Sequence, residues 1–405
     1  MPRDLSRPPA LPAPALPASA PPAPAPPAPD PTPGPTLTPP PGPTPRSTPR
    51  PAPARPTLLL TGGSGVLGRA LIDELAPDHH LLCLRRTRPL GDPRVREIDG
   101  DLLAPRLGLT PRAWYELALR VDVVVHSAAA TNWHIPPEEI ARTNTLGTDT
   151  VLDLAARADA PLYLVSTAFV ANTPSDEDRE RFPGAAAYLD SKARAEQMTR
   201  DSGVPGAIVR PSVVMGDSVT GRIAGQQGLT KTIGAMVLGQ VPVLPGAPEA
   251  RIDMVPQDYV SRAIGGLVRA GAGSGEYWLT AGREAVELRE IADLCADFAV
   301  RIGLPRPPRP RLIPVEAVHR LLLPMLEGTS LSGSVRQRFR YYAELLLVFQ
   351  SELPFGSSLG EPHCGTRPTR ADIRTALVRN LESWSGQRHA PRRRPAAQTA
   401  TEVAS

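Results

Sequence analysis

Cysteine is scarce in this chain: three residues in 405, Cys83, Cys295 and Cys364, far apart and odd in number. That excludes a disulfide framework, and no two of them have metal-ligand spacing. His126, His134 and His319 also lack partners at ligand spacing, so no metal site is expected. Long apolar runs are missing. The longest candidate, residues 343–350, falls far short of the ~20 residues that span a bilayer. No continuous apolar stretch follows Arg3 and Arg7, which argues against a secretory leader. Unpaired thiols without a leader point to a reducing cytoplasm, with Cys83 in the core. A dominant charge is absent too. Residues 1–55 carry five Arg against two Asp, and residues 386–405 four Arg against one Glu, so the net +4 leaves residues 56–385 at −2. A basic nucleic-acid face on the core is not supported, and Arg392-Arg393-Arg394 reads as a solvated tail.

Proline is abundant but unevenly spread: nearly half of the 51 fall in residues 1–55, among almost no large apolar residues. Such a stretch buries too little surface to offset its ordering entropy and is expected to be a disordered tail. The remainder is organised around residues 57–68, TLLLTGGSGVLG. Leu58 to Leu60 reads as a buried strand and Arg69 to Leu75 as a helix, with Leu67, Leu71 and Leu75 four apart. Glycines stand between them at 62, 65 and 68. Strand, glycine turn and helix form the context of a dinucleotide fingerprint. Gly62 allows the turn, Gly65 a close pyrophosphate, and Gly68 a helix packed near the strand.

A second strand, His80 to Leu84, ends in Arg85-Arg86. An acidic residue there would bond the ribose 2′-OH of NAD; a guanidinium suits a 2′-phosphate. NADP(H) is therefore favoured over NAD(H), with Arg85 as the contact. Val95 to Leu102 is a third strand, placing Asp101 and Leu102 near the adenine. Thr110-Pro111 opens a helix to Arg120, Thr110 as its N-cap. Strand Val121 to His126 ends in Ser127-Ala128-Ala129, small enough for backbone to lie against a cofactor. Asn144, inside the helical stretch 138–158, reads as a bridge between elements. Strand 161–165 ends in Ser166-Thr167, followed by a polar loop over 173–186. A helix then carries Tyr188 and Lys192 at its head, an i, i+4 pair. A lysine beside a tyrosine favours the phenolate, so the phenol can exchange a proton nearer neutral pH, and a strand-end hydroxyl can polarise a carbonyl. Strand 207–210 breaks at Pro211-Ser212-Val213, whose backbone can meet a nicotinamide carboxamide. Residues 216–250 read as an insertion. Beyond 281 the pattern is helical: 287–302, a proline-rich linker 305–314, then 315–327, 335–350 (Phe339, Tyr342 and Leu346 on one stripe) and 370–384.

These phrases resemble the extended short-chain dehydrogenase/reductases. T-G-x-x-G-x-x-G is matched from Thr61 to Gly68, the strand-end Ser/Thr at Ser166-Thr167, and Y-x-x-x-K at Tyr188 and Lys192. Within that family, the phrases from His126 to Ala129 with Asn132-Trp133, Asn144-x-x-Gly147-Thr148, Val165 to Ala171 and Arg210 to Asp217 are most similar to the thioester-reductase and fatty acyl-CoA reductase ("male sterility") branch. The resemblance covers about residues 57–285. It implies hydride transfer to an acyl thioester, acyl-CoA or carrier-bound, giving an aldehyde or alcohol. The hydroxyl of Thr167 and Tyr188 would hold the oxyanion, Tyr188 would donate the proton, and Lys192 would hold the ribose and tune Tyr188. Cofactor contacts are implied at Thr61, Gly62, Ser64, Gly65, Val66, Leu67 and Gly68, with Ser127, Ala128, Ala129, Lys192, Pro211, Ser212 and Val213. Branch members are often fused to adenylation and carrier domains. No such segment is read here, so a carrier-bound acyl group is expected to arrive on a separate protein. Family members are often dimers.

The expected fold is α/β: a doubly wound parallel sheet over residues 56–280, a smaller, mostly helical substrate cap over 281–385, and disordered tails at 1–55 and 386–405. Two other functions fit the residues. One is a family enzyme acting on a sugar nucleotide, sterol or other alcohol or ketone, which calls for a polar pocket with arginines for a second diphosphate. The other is a non-catalytic NADP-binding sensor. A thioester reductase calls for a deep apolar tunnel under the C-terminal helices.

Overall fold

The computed structural model describes residues 55–389, except 174, 226–227, 248, 314–332, 334–336, 338–343, 346–347 and 352–353. The tails at 1–54 and 390–405 lie outside the described residues, as do the expected helix 315–327 and the stripe residues Phe339, Tyr342 and Leu346.

Alternation along short apolar strands builds the sheet. In β1 (Thr57–Thr61) Leu58 and Leu60 join one buried cluster and Leu59 the other. The pattern repeats in β2 (His80–Arg85), with Leu81 and Cys83 on one face and Leu82 and Leu84 on the other. It recurs in β4 (Val123–His126), β5 (Leu162–Val165) and β6 (Gly206–Pro211). Strands apolar on both faces need helices on both faces. One side is covered by α1 (Val66–Leu75) and α7 (Gln257–Arg269). The other is covered by α2 (Pro111–Arg120), α3 (Pro137–Ala158) and α5 (Pro183–Asp201). With β3 (Val95–Asp99) and β11 (Glu276–Leu279), the seven strands run in the order β11-β6-β5-β4-β1-β2-β3, every neighbouring pair parallel. The order reverses between β1 and β4, and a ligand crevice opens outside the strand ends at such a point.

Thr110 caps α2 as expected, its hydroxyl accepting from the Ala113 N–H at 3.2 Å. Several local readings change. β3 stops at Asp99, where the Gly100 N–H turns back to the Arg85 carbonyl. The loop expected over 173–186 holds α4 (Asp176–Arg181) and the first turn of α5. Tyr188 therefore lies more than a turn inside its helix, which starts with Pro183 at its first position. After β7 (Val213–Met215), the stretch 216–250 holds α6 (Gly228–Val237) and β8 (Val243–Pro245), and the start of α6 lines the cleft described below. β8 pairs in parallel with β13 (Arg311–Ile313), inside the expected proline linker. β9 (Arg251–Ile252) and β10 (Met254–Pro256) follow, and β10 pairs with β7. β9 accepts β12 (Val286–Glu287) on one side and β14 (Gln350–Ser351) on the other, so Gln350 is strand rather than the end of a helix.

After β12 come α8 (Leu288–Arg301) and a last helix, α9 (Arg370–His389), which continues past residue 385. Ile291, Cys295 and Phe298 of α8 and Ile373, Leu377 and Trp384 of α9 belong to the same buried cluster as α1 and α7. All three cysteines are free and buried. No helix among the described residues is long and apolar enough to cross a membrane, and no three His, Cys, Asp or Glu among them cluster to hold a metal.

Candidate active site

The glycine turn sits where β1 and β4 diverge. Gly62 has φ +76°, and a Cβ there would lie 2.7 Å from the Ala128 N and 2.8 Å from the Ser127 carbonyl carbon. Glycine therefore serves both the left-handed turn and the close passage of the β4 end. A Cβ on Gly68 would come 2.0 Å from the Gly62 carbonyl oxygen, so α1 can lie against its own loop only without one. Gly65 precedes α1 without a side-chain cap, and no acidic residue stands in the first turn. The helix N–H groups and positive dipole end are left open, which fits a pyrophosphate.

Thr61 does not reach the cleft. It is fully buried, its hydroxyl 2.7 Å from His126 Nδ1 and accepting from the Ala128 N–H at 3.2 Å. His126 Nε2 lies 3.4 Å from the Thr148 hydroxyl, tying β1, β4 and α3 together. Burial, with the Lys192 charge adding, pushes the His126 pKa down to about 3, so the ring is neutral and structural. Asn144 bridges as its position in a helix suggested. It accepts from the Ala130 N–H at 2.7 Å and donates to the Ser191 hydroxyl at 2.9 Å; Ser191 donates to the Tyr188 carbonyl at 2.8 Å. The turn after β4 is thereby braced to the helix that carries Tyr188.

A cleft of about 700 Å³ opens over this floor. On one side it meets Gly62, Gly65, Val66, Leu67 and Gly68, with Ser127 and Ala129. On the other it meets Thr167, Tyr188 and Lys192, with Pro211, Ser212 and Val213. Arg85, Asp101, Leu102, Ser64 and Ala128 are not on its wall. Asp101 accepts from the Leu103 N–H at 3.0 Å. Arg85 is held by Glu97 at 3.0 Å and Asp99 at 2.7 Å, so its charge is already matched. Arg86 is exposed and has no ion pair among the described residues.

Lys192 is 4 % exposed, and its Nζ donates to the Val165 carbonyl at 2.6 Å. Burial lowers its pKa to about 8, against the pull of Glu196. Tyr188 differs from expectation. Burial pushes the phenol up to about 12, opposed by the Thr167 hydroxyl, and Lys192 does not lower it. The ammonium donates to the Val165 carbonyl, and the half-buried phenol stands on the cleft wall. At neutral pH the pair is a protonated phenol and an ammonium, set to donate rather than to abstract. Behind them Glu196 accepts from Arg210 at 2.8 and 2.6 Å, a buried bidentate pair that ties α5 to β6.

The sequence reading did not assign the outer wall. Trp133, Phe169 and Phe349 supply aromatic surface, with Leu229 and Leu345. Lys231 on α6 also lines the cleft and is exposed. One signal could have found it: Lys192 and Lys231 are the two lysines of the chain, beside 43 arginines. No arginine lines the cleft among the described residues.

A phenol and a lysine on one helix thus stand beside a strand-end hydroxyl, in the same cleft as the glycine turn at the switch point. The chain is an extended short-chain dehydrogenase/reductase, with a nicotinamide cofactor. Three comparisons support the thioester-reductase branch of that family. Residues 88–264 match the family model described as male sterility protein. The chain is 33 % identical over 250 residues to the glycine betaine reductase ATRR of Emericella nidulans, covering 51 % of this chain and 19 % of that protein. It is 30 % identical over 195 residues to the L-2-aminoadipate reductase large subunit of Eremothecium gossypii, covering 42 % of this chain and 14 % of that one. The chain thus spans a small part of the length of these curated relatives. Among solved structures it is similar to the terminal R domain of the myxalamid PKS-NRPS biosynthetic pathway, with a TM-score of 0.64 and 25 % identity over 83 % of this chain and 92 % of that domain.

Proposed function

We propose that this protein reduces an acyl thioester to an aldehyde with NADPH, the acyl group being presented on the phosphopantetheine arm of a carrier protein or of coenzyme A. One observation carries the reading: Thr167, Tyr188 and Lys192 face the same cleft as the glycine turn, whose outer wall carries Trp133, Phe169, Leu229, Leu345 and Phe349. That wall, without an arginine among its described residues, suits an acyl chain better than a second diphosphate. The likeness to the myxalamid R domain and to an aminoadipate reductase supports a carrier-borne substrate.

The residues fit the cofactor. Gly62 to Gly68 and the open start of α1 would hold its pyrophosphate, and Lys192 its nicotinamide ribose; Pro211 to Val213 would flank the carboxamide. When bound, the dinucleotide supplies a hydride. Tyr188, protonated at neutral pH, hydrogen-bonds the thioester carbonyl together with Thr167 and gives its proton to the oxygen as the carbon is reduced. Lys192 returns a proton to Tyr188. The resulting hemithioacetal releases the thiol and the aldehyde when its C–S bond breaks and its hydroxyl proton passes to the sulfur. For the 2′-phosphate, the exposed Arg86 is the more available guanidinium, since two carboxylates already engage Arg85.

The test is NADPH oxidation with acyl-CoA thioesters of rising chain length and with the same acyl groups loaded on carrier proteins. Aldehyde formation that Tyr188→Phe lowers at least ~100-fold is expected. Protein that binds NADPH yet reduces no thioester, or a Tyr188→Phe variant at full rate, would overturn the reading.

A further inference from the structure

We infer that Lys231 binds the phosphate of the pantetheine arm that presents the acyl group, so that the site discriminates among thiol handles by their charge. The inference rests on the thioester reading above and adds to it a residue that recognises the handle rather than the acyl group.

Charge on the cleft wall is one-sided. Residues 56–385 carry a net −2, yet no aspartate or glutamate lines the cleft among the described residues, whereas Lys192 and Lys231 both do. The two ammoniums differ in setting. Lys192 is buried, sits on the helix of Tyr188 and donates to the Val165 carbonyl. Lys231 is exposed in the first turn of α6 and has no ion pair or hydrogen bond among the described residues. An exposed lysine carries its charge on a long flexible stem with rotatable donors. Its ammonium can therefore swing to an anion in the cleft without being fixed in one direction beforehand.

α6 sets Lys231 away from the glycine turn. Leu229 and Thr230, the two residues before it, share a small enclosed space with Val213, Met215 and Met254, and no residue of the glycine turn borders that space. The first turn of α6 thus packs beside Val213, at the end of the cleft where reduction would take place. The order in which a thioester enters then assigns the anion. A folded carrier protein cannot enter a cleft of about 700 Å³, so the acyl group leads and the arm trails out to solvent. The leading group meets the wall of Trp133, Phe169 and Phe349, and the trailing arm meets the exposed cation. Pantetheine itself is uncharged. Its phosphate is the ionic group of the arm, and carrier proteins and coenzyme A share it. An ammonium–phosphate contact is a charge-assisted hydrogen bond. At a solvent-exposed rim it should be worth roughly 5- to 30-fold in kcat/KM.

The experiment places the best acyl group of the wild-type protein on pantetheine, phosphopantetheine, coenzyme A and a carrier protein. Wild type should favour phosphopantetheine over pantetheine by roughly 5- to 30-fold in kcat/KM. In Lys231→Met that ratio should fall to near unity, and in Lys231→Arg most of it should remain. Each ratio compares two handles on one protein, so a general loss of activity in a variant cancels. The drop from wild type to Lys231→Met should be of similar size on coenzyme A and on the carrier, because the phosphate is common to both. A drop on coenzyme A alone would move Lys231 to the nucleotide, and a drop on the carrier alone would move it to the carrier surface; either overturns the inference. So does a wild-type ratio near unity, a ratio that survives in Lys231→Met, or a variant that loses NADPH binding, which would give the ammonium to the cofactor. If the wild-type protein binds NADPH but reduces the acyl group on none of the four handles, the thioester reading itself has failed and the inference falls with it.

Discussion

Lys192 should weaken the fold that it serves. Its ammonium is 4 % exposed, and burial pulls its pKa from 10.5 to about 8. Each unit is worth ~1.4 kcal/mol, so holding the charge inside at pH 7 costs the folded state about 3 kcal/mol. Lys192→Met keeps the stem and removes the charge. It also frees the Val165 carbonyl, a loss of about 1–2 kcal/mol. The variant should therefore be more stable than wild type at pH 7 by about 1–2 kcal/mol, while losing activity. The sign of the pH dependence follows from the lowered pKa. Between about 8 and 10.5 the unfolded chain binds more protons than the folded one, so the burden is full below that window and fades as pH rises through it. By about pH 9.5 the advantage of the variant should have shrunk by about 2 kcal/mol, bringing it level with wild type or slightly below. Urea unfolding of both proteins at the two pH values measures this directly. A variant less stable than wild type at pH 7, or a stability difference that does not move with pH, would refute the reasoning.

Two further substitutions test the cofactor side. Gly68→Ala puts a Cβ 2.0 Å from the Gly62 carbonyl oxygen. It should cost about 3 kcal/mol in thermal or urea unfolding and lower NADPH affinity at least ~10-fold as the cradle shifts; wild-type behaviour in both would count against the close packing described. Arg86→Ala should reduce the ratio of NADPH to NADH kcat/KM by at least ~10-fold. Arg85→Ala should move it less, because Glu97 and Asp99 already neutralise that guanidinium; the reverse order would restore Arg85 as the phosphate ligand.

Much of this protein is written locally. Short apolar runs with glycine between strand and helix specify β1, the turn and α1, because backbone conformation and burial there depend on near neighbours. The Thr110 cap is equally local, and so is the Tyr188–Lys192 pair, since an i, i+4 spacing on a helix needs no tertiary information. The readings that changed depend on partners distant in sequence. β13 forms within a proline-rich stretch because β8 offers it an edge. Gln350 is strand because β9 does. Arg85 sits at a strand end where a phosphate ligand belongs, but the parallel pairing of β2 with β3 brings Glu97 and Asp99 to it first. The Tyr188 phenol is raised rather than lowered, because its partial burial outweighs the Thr167 hydrogen bond while the Lys192 ammonium turns to Val165. Local sequence is enough to show a glycine turn between strand and helix and a phenol–lysine pair on one helix. Folding alone brings them into one cleft and settles which charges are already matched. Burial and long-range pairing set those properties, and neither is encoded in the spacing of adjacent residues.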